Sequence, residues 1–381
     1  MQQHVLRRAP ALKVGDTIAF VAPASGLAAL IPHRLQQAKD FLEGADFKVK
    51  IYPSVLRTPK QNMRNFRASS VASGRIDDSE AGDVEVMGFY SSADAQTRAE
   101  ELMDAFRDPE VKAIICTIGG LTSHEMLEFL DFDAIREHPK IFSGFSDITT
   151  LHLAFYAKTG LCSFYGPSAM CQFGEFPRPL SYTMEYFWKA VVATEPIGAL
   201  APSLEWTDDK TANWFTKADM TYQDKMKPNA GCVWLREGKA RGRILGGCLP
   251  TMLNVRGTEY MPDFTGAVLL LETPEGHEFD KGMSLDEANT VLGCLRLDGT
   301  FKRINGLVVG RAFAYTDAQV AELQRLIMFH TRGTAFPIIY GVDIGHTNPI
   351  ATIPLGCQVA LDSTAAAEAG GFTILESGVQ A

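Results

Sequence analysis

The sequence predicts an α/β protein of two domains, the first built on a doubly wound parallel sheet. Three observations carry this prediction. Apolar runs of strand length alternate with helical spacing from residue 17 to residue 159, and that order forces parallel pairing through crossovers. A proline-punctuated stretch then breaks the pattern, and strand and helix signals resume near Gly242. The length, 381 residues, is long for one domain and comfortable for two.

The first strand is expected at 17–22, opening into Pro23-Ala-Ser25-Gly26, with a helix over 32–43 and a second strand over 48–52. Residues 69–92 are polar, small and glycine-rich, which reads as a surface insertion. Helical spacing returns over 93–106 with Asp94 as its cap, and 111–118 is a strand. Gly119-Gly120-Leu-Thr-Ser123-His124-Glu125 follows, then a helix over 126–130 and a strand–helix pair over 140–159. Five prolines between 168 and 241, together with Trp188, Trp206 and Trp214, mark a linker and long loop. In the second domain, 242–381, strands are expected at 267–272, 306–310 and 337–341, and helices at 284–294 and 317–330. Gly246-Gly247 lacks the third glycine of a dinucleotide fingerprint and reads as a tight turn.

Composition narrows the function. The chain is 46% hydrophobic and 21% charged, so it can build a core that a disordered chain could not. With 36 basic against 45 acidic residues and no basic run, it is not built to neutralise nucleic-acid phosphates. Apolar stretches such as 266–271 are far shorter than the roughly 20 residues of a membrane span. Lys13, Gly15 and Asp16 break the N-terminal apolar segment, and the seven cysteines are dispersed, so a cytoplasmic protein with free thiols is expected. No metal-ligand spacing occurs, and neither a metal nor an organic cofactor is expected.

The segment 114–126 is the richest in chemistry: a strand runs into two glycines and a helix start bearing Ser123. A helix N-terminus offers free N–H donors, so Ser123 there suits a nucleophile with backbone amides for an oxyanion. Serine is also a favoured N-cap, and the spacing leaves both roles open. His346, between Gly345 and Pro349 at a strand end, is the best-placed base. His152 reads as a core or surface histidine, and His4, His33, His138, His277 and His330 as residues without partners. Glu272 ends the run Gly266-Ala-Val-Leu-Leu-Leu-Glu272, where an acid is costly unless it is paired or faces solvent. Asp147 and Asp343 rival it as the acid that orients the base.

Several long motifs carry a resemblance. The stretch from Ile118-Gly-Gly-Leu-Thr-Ser to Asp133, then Phe142-Ser-Gly-Phe-Ser-Asp-Ile-Thr149, is similar to the LD-carboxypeptidase family of serine peptidases. Val14 to Ser25, Phe164-Tyr-Gly-Pro167, Arg243-Ile-Leu-Gly-Gly247, Leu269-Leu-Leu-Glu272 and Gly345-His-Thr-Asn-Pro349 follow that family in the same order. The likeness spans nearly the whole chain apart from the insertion. It implies a flavodoxin/Rossmann-like N-terminal domain (1–167), a linker and substrate loop (168–241), and a smaller C-terminal α/β domain of swivelling β/α/β type. It also implies a catalytic set of Ser123, Glu272 and His346, with oxyanion donors from the backbone of His124 and of Gly119 or Gly120, and a homodimer.

Two branches of the family bear on the substrate. One cuts the L,D amide of murein tetrapeptides; the other, for microcin C immunity, cuts an amide joining a peptide or aminoacyl carboxylate to a modified nucleotide. Trp206, Trp214 and the segment Gly257-Thr-Glu-Tyr-Met-Pro262 resemble the immunity branch. The resemblance makes Trp206 and Trp214 candidates to stack on a nucleobase and Asn348 a candidate substrate contact; the tryptophans also suit pinning the loop onto the protein. Thr273-Pro-Glu-Gly276 departs from the family, which continues after the acid with Asp and further polar residues. The net charge of -9 gives no general attraction for an anionic substrate, so Arg241, Arg243, Arg256 or backbone amides would have to supply it. A two-lobed solute- or nucleotide-binding protein without catalysis, hinged at 167–241, is the rival reading.

Overall fold

The computed structural model describes residues 5–57, 91–209, 213–276, 280–365 and 370–381. The expected insertion at 69–92 therefore lies almost wholly outside the described residues, as do His4 and His277. The chain folds into two sheets flanked by helices, an α/β architecture. The first sheet runs, edge to edge, Ile353–Leu355, Ser163–Tyr165, Ile141–Gly144, Val111–Cys116, Thr17–Val21, Lys48–Ile51. Its five N-terminal strands are parallel. Numbered along the chain, their order is 2-1-3-4-5, which reverses between Thr17–Val21 and Val111–Cys116. Ligands of such sheets bind at that reversal, beyond the carboxyl ends of the strands.

The second sheet has eight strands, in the order Val233–Arg236, Ile338–Val342, Gly306–Gly310, Val268–Glu272, Lys239–Cys248, Gln358–Asp362, Phe372–Ile374, Gly198–Ala199. Its centre is parallel and its flanks antiparallel. The central strands are buried on both faces, so they read as unbroken apolar runs. One core cluster holds residues of both halves, including Phe155, Leu245 and Leu271. No helix among the described residues is long and apolar enough to cross a membrane.

Several local expectations change. The helix expected at 126–130 is a 3-10 helix, Ser123–Phe129, ending where Asp131 caps a new helix, Phe132–Glu137. Gly246 and Gly247 lie inside strand Lys239–Cys248 rather than in a turn. A Cβ on Gly247 would sit 2.5 Å from Thr149 Oγ1, so the glycine permits a close crossing by helix Thr149–Thr159. There Cys248 N donates to Thr149 Oγ1 at 2.9 Å. Residues 168–241 carry elements of their own: helix Ser181–Val191, and Gly198–Ala199 and Val233–Arg236 in the second sheet. All seven cysteines are free thiols.

Candidate active site

Glu272 ends its strand at the carboxyl edge of the second sheet, and His346 follows strand Ile338–Val342 two positions across. The two meet directly: His346 Nδ1 lies 2.7 Å from Glu272 Oε2. The other oxygen, Oε1, accepts from Tyr165 Oη at 2.5 Å. Glu272 is fully buried, and these two donors offset the cost of burying its carboxylate. Burial, reinforced by that neighbouring carboxylate, pushes the Tyr165 hydroxyl well up, so it remains a donor. Gly345 makes room for the pair. It sits at φ +91°, and a Cβ there would fall 2.6 Å from Glu272 Oε2. The second ring nitrogen, His346 Nε2, lies 3.3 Å from Glu275 Oε2.

Ser123 starts the 3-10 helix at the reversal point of the first sheet. It is fully buried; its hydroxyl donates to the Asp147 carbonyl at 2.7 Å and its N–H to Asp147 Oδ2 at 2.9 Å. Burial raises the Asp147 carboxyl above its ordinary range, opposed by the hydrogen bonds from Ser123. Arg98 clamps the same turn from behind, donating to Pro23 O, Thr122 O and Glu125. Ser25 N donates to Gly119 O at 3.2 Å, tying together the loops after the first and third strands.

The turn 145–147 links the two halves of the site. Its Phe145 ring stands edge-on to His346, with centroids 5.0 Å apart, while Asp147 holds Ser123. Ser146 N also donates to the Tyr165 oxygen that reaches Glu272. Ser123 and the Glu272–His346 pair therefore flank one short turn, although 149 and 223 residues separate them along the chain (272 − 123 and 346 − 123).

The other candidates scatter. Lys227 and Arg311 lie over the Trp206 ring, 4.7 and 4.6 Å from its centroid. Trp214 covers Arg34, whose guanidinium is 4.0 Å from the ring and pairs with Asp219 and Glu175. Asn348 accepts from Gln172, and its backbone pairs with Thr207, the neighbour of Trp206. His124 is exposed. Asp147 and Asp343, the rival acids, have other partners: Asp147 holds Ser123, and Asp343 pairs with Arg311 at 2.8 Å.

Arg243 bonds Gly356 O, five residues and roughly 16 Å of strand from Cys248, which pairs with Glu272. Arg256 bonds Asp298, and Arg241 is exposed near the far end of the same strand. The arginine beside the site is instead Arg311, which follows the strand next to Glu272. His33 and His330 have partners after all, Asp219 and Asn289, supplied from distant chain positions.

Sequence reasoning assigned no role to Tyr165, Arg98 or Glu275. Arg98 was detectable as a charge on the apolar stripe shared with Leu102 and Phe106. Tyr165 was detectable as a hydroxyl in a wholly buried strand. Glu275 gave no signal beyond lying three residues after Glu272.

The chain is similar to known proteins over most of its length. Residues 18–166 match the LD-carboxypeptidase N-terminal domain and residues 241–361 the LD-carboxypeptidase C-terminal domain. Putative carboxypeptidase YocD of Bacillus subtilis is 32% identical over 91% of this chain and 94% of its own length. Microcin C7 self-immunity protein MccF of Escherichia coli is 30% identical over 95% of this chain and 94% of its own. A solved structure of MccF in complex with aspartyl sulfamoyl adenosine superposes with a TM-score of 0.81 at 27% identity, covering 98% of this chain and all of that one. The fold and site define a two-domain α/β hydrolase with a carboxylate–histidine pair at its centre. The chain belongs to the LD-carboxypeptidase family, on its MccF-like branch.

Proposed function

We propose that this chain is a serine-type peptidase in which Ser123 attacks the carbonyl of an amide next to a terminal residue. The observation that carries this reading is the buried Glu272–His346 hydrogen bond, set across the turn 145–147 from a buried serine. With Nδ1–H donated to Glu272, His346 presents Nε2 as the base. The Ser123 hydroxyl turns from the Asp147 carbonyl, gives its proton to Nε2 and bonds the carbonyl carbon. His346 then returns the proton to the departing nitrogen, and water repeats the sequence on the acyl-serine. Backbone N–H groups of His124 and of Gly119 or Gly120 receive the oxyanion.

The substrate type supported best is an aminoacyl- or peptidyl-nucleotide amide, since MccF is solved with aspartyl sulfamoyl adenosine. Murein tetrapeptide is the other substrate the resemblance implies, and turnover of the two compared on one preparation ranks them. On this reading the enzyme is a cytoplasmic homodimer. Ser123→Ala should lower kcat for either substrate on the order of a thousand-fold or more while the chain remains folded. A fluorophosphonate probe should label the wild type and not the variant. Full activity in the variant, or labelling elsewhere, would remove Ser123 from the reaction, whereas a wild type that neither turns over the substrates nor takes the probe would return the binding-protein reading.

A further inference from the structure

Glu275 is the feature that the triad leaves unexplained. Its carboxylate stands 3.3 Å from His346 Nε2, the nitrogen that must take the serine proton and deliver it to the leaving group. Glu272 already orients the ring through Nδ1. A second carboxylate on Nε2 cannot serve the same end, because it occupies the position the reacting atoms need. Proton transfer requires the scissile amide within about 3 Å of Nε2. Substrate and Glu275 therefore compete for one nitrogen, and any charge on the substrate near its scissile bond meets the Glu275 carboxylate.

The backbone beneath Glu275 is fixed while its side chain is half-buried at the edge of the site. Glu275 bridges Gly282, Gly276 N donates to Lys281 O at 2.8 Å, and Met283 N donates to Pro274 O at 2.9 Å. Only side-chain rotation is needed to free Nε2. A cation on the substrate within one residue of the amide gives the displaced carboxylate a new partner; a neutral or anionic group there does not. The α-nitrogen of the residue contributing the scissile carbonyl is the nearest such position, about 2.5 Å from the carbonyl carbon across Cα.

We propose that Glu275 is a specificity residue that recognises a free α-ammonium group on the acyl side of the scissile amide, so that the chain acts on aminoacyl conjugates in preference to peptidyl or N-acylated ones. In an aminoacyl conjugate the α-nitrogen is a charged amine. In a peptidyl conjugate, or any substrate cut within a peptide chain, it is a neutral amide that leaves Glu275 on Nε2. The inference rests on the serine peptidase reading above and narrows its substrate.

The test measures kcat/KM for aspartyl sulfamoyl adenosine and for its N-acetyl derivative, in the wild type and in Glu275→Gln. The wild type should prefer the free amine by on the order of ten-fold or more, and the variant should bring the two within about three-fold. Because each ratio is taken on one preparation, loss of folded protein cancels from it. Equal turnover of both compounds by the wild type, or a preference that survives in Glu275→Gln, overturns the role of Glu275 and leaves the serine peptidase reading standing. Turnover of neither compound by a wild type whose Ser123 still reacts with the fluorophosphonate overturns the nucleotide substrate and this inference together.

Discussion

Glu272, buried at the end of an apolar strand, is acceptable only because both its oxygens find donors. Local sequence could rank it beside Asp147 and Asp343, since all three sit at strand ends; it could not say which one faces His346. That choice is made by partners far along the chain, Ser123 for Asp147 and Arg311 for Asp343. The same logic makes Tyr165 testable. Tyr165→Phe leaves Glu272 Oε1 without its hydroxyl donor in a site closed to water, a loss of about 1–3 kcal/mol. The expected result is a lower melting temperature and a reduced kcat with little change in KM. A variant with wild-type melting temperature and kcat would show that the hydroxyl is dispensable.

At the scale of elements, helix Thr149–Thr159 joins the site to both sheets and carries a histidine with no part in the reaction. His152 is fully buried, with Nδ1 2.8 Å from Ser163 Oγ and Nε2 2.9 Å from Gly144 O. The carbonyl can only accept, so Nε2 holds the proton and Nδ1 accepts from the serine. Burial lowers its pKa from 6.5 to about 4. The unfolded chain therefore binds a proton that the folded one refuses between those values. Stability is retained above about pH 6.5 and lost as pH falls toward 4, by about 2 kcal/mol on reaching pH 5. Urea midpoints at pH 7 and pH 5 should show this fall, and His152→Gln, though weaker at pH 7, should lessen it. An equal fall in the variant would assign the pH dependence to other groups. Helix Ala95–Arg107 was legible from its spacing, and so was its Asp94 cap, which accepts from Thr97 N at 2.8 Å. The 3-10 form of Ser123–Phe129 was not, because it depends on Asp147 binding the Ser123 N–H from another element.

Across the whole molecule, the two sheets are exchanged at their edges. Strand Ile353–Leu355, late in the chain, closes the edge of the first sheet against Ser163–Tyr165. Val379–Gln380 pairs with Ala9–Pro10, and Gly198–Ala199 edges the second sheet. Together with the shared core cluster, these crossings tie the halves more tightly than a hinge between lobes would. Calorimetric unfolding should accordingly give a single transition with the van't Hoff enthalpy equal to the measured one. Two resolved transitions would show that the halves unfold independently.

The sequence by itself determined the class: alternating strand and helix periods, a dispersed set of thiols, and a serine, an acid and a histidine each at the end of an apolar run. These are properties of windows of ten or so residues, where hydrophobic periodicity acts. Tertiary structure alone decided which acid meets His346, that Tyr165 reaches Glu272 and Glu275 reaches His346, and that the late strand Ile353–Leu355 belongs to the first sheet. Each is a contact between residues far apart in the chain, made because a buried charge or an open strand edge must find a partner, and no local pattern records which partner that is.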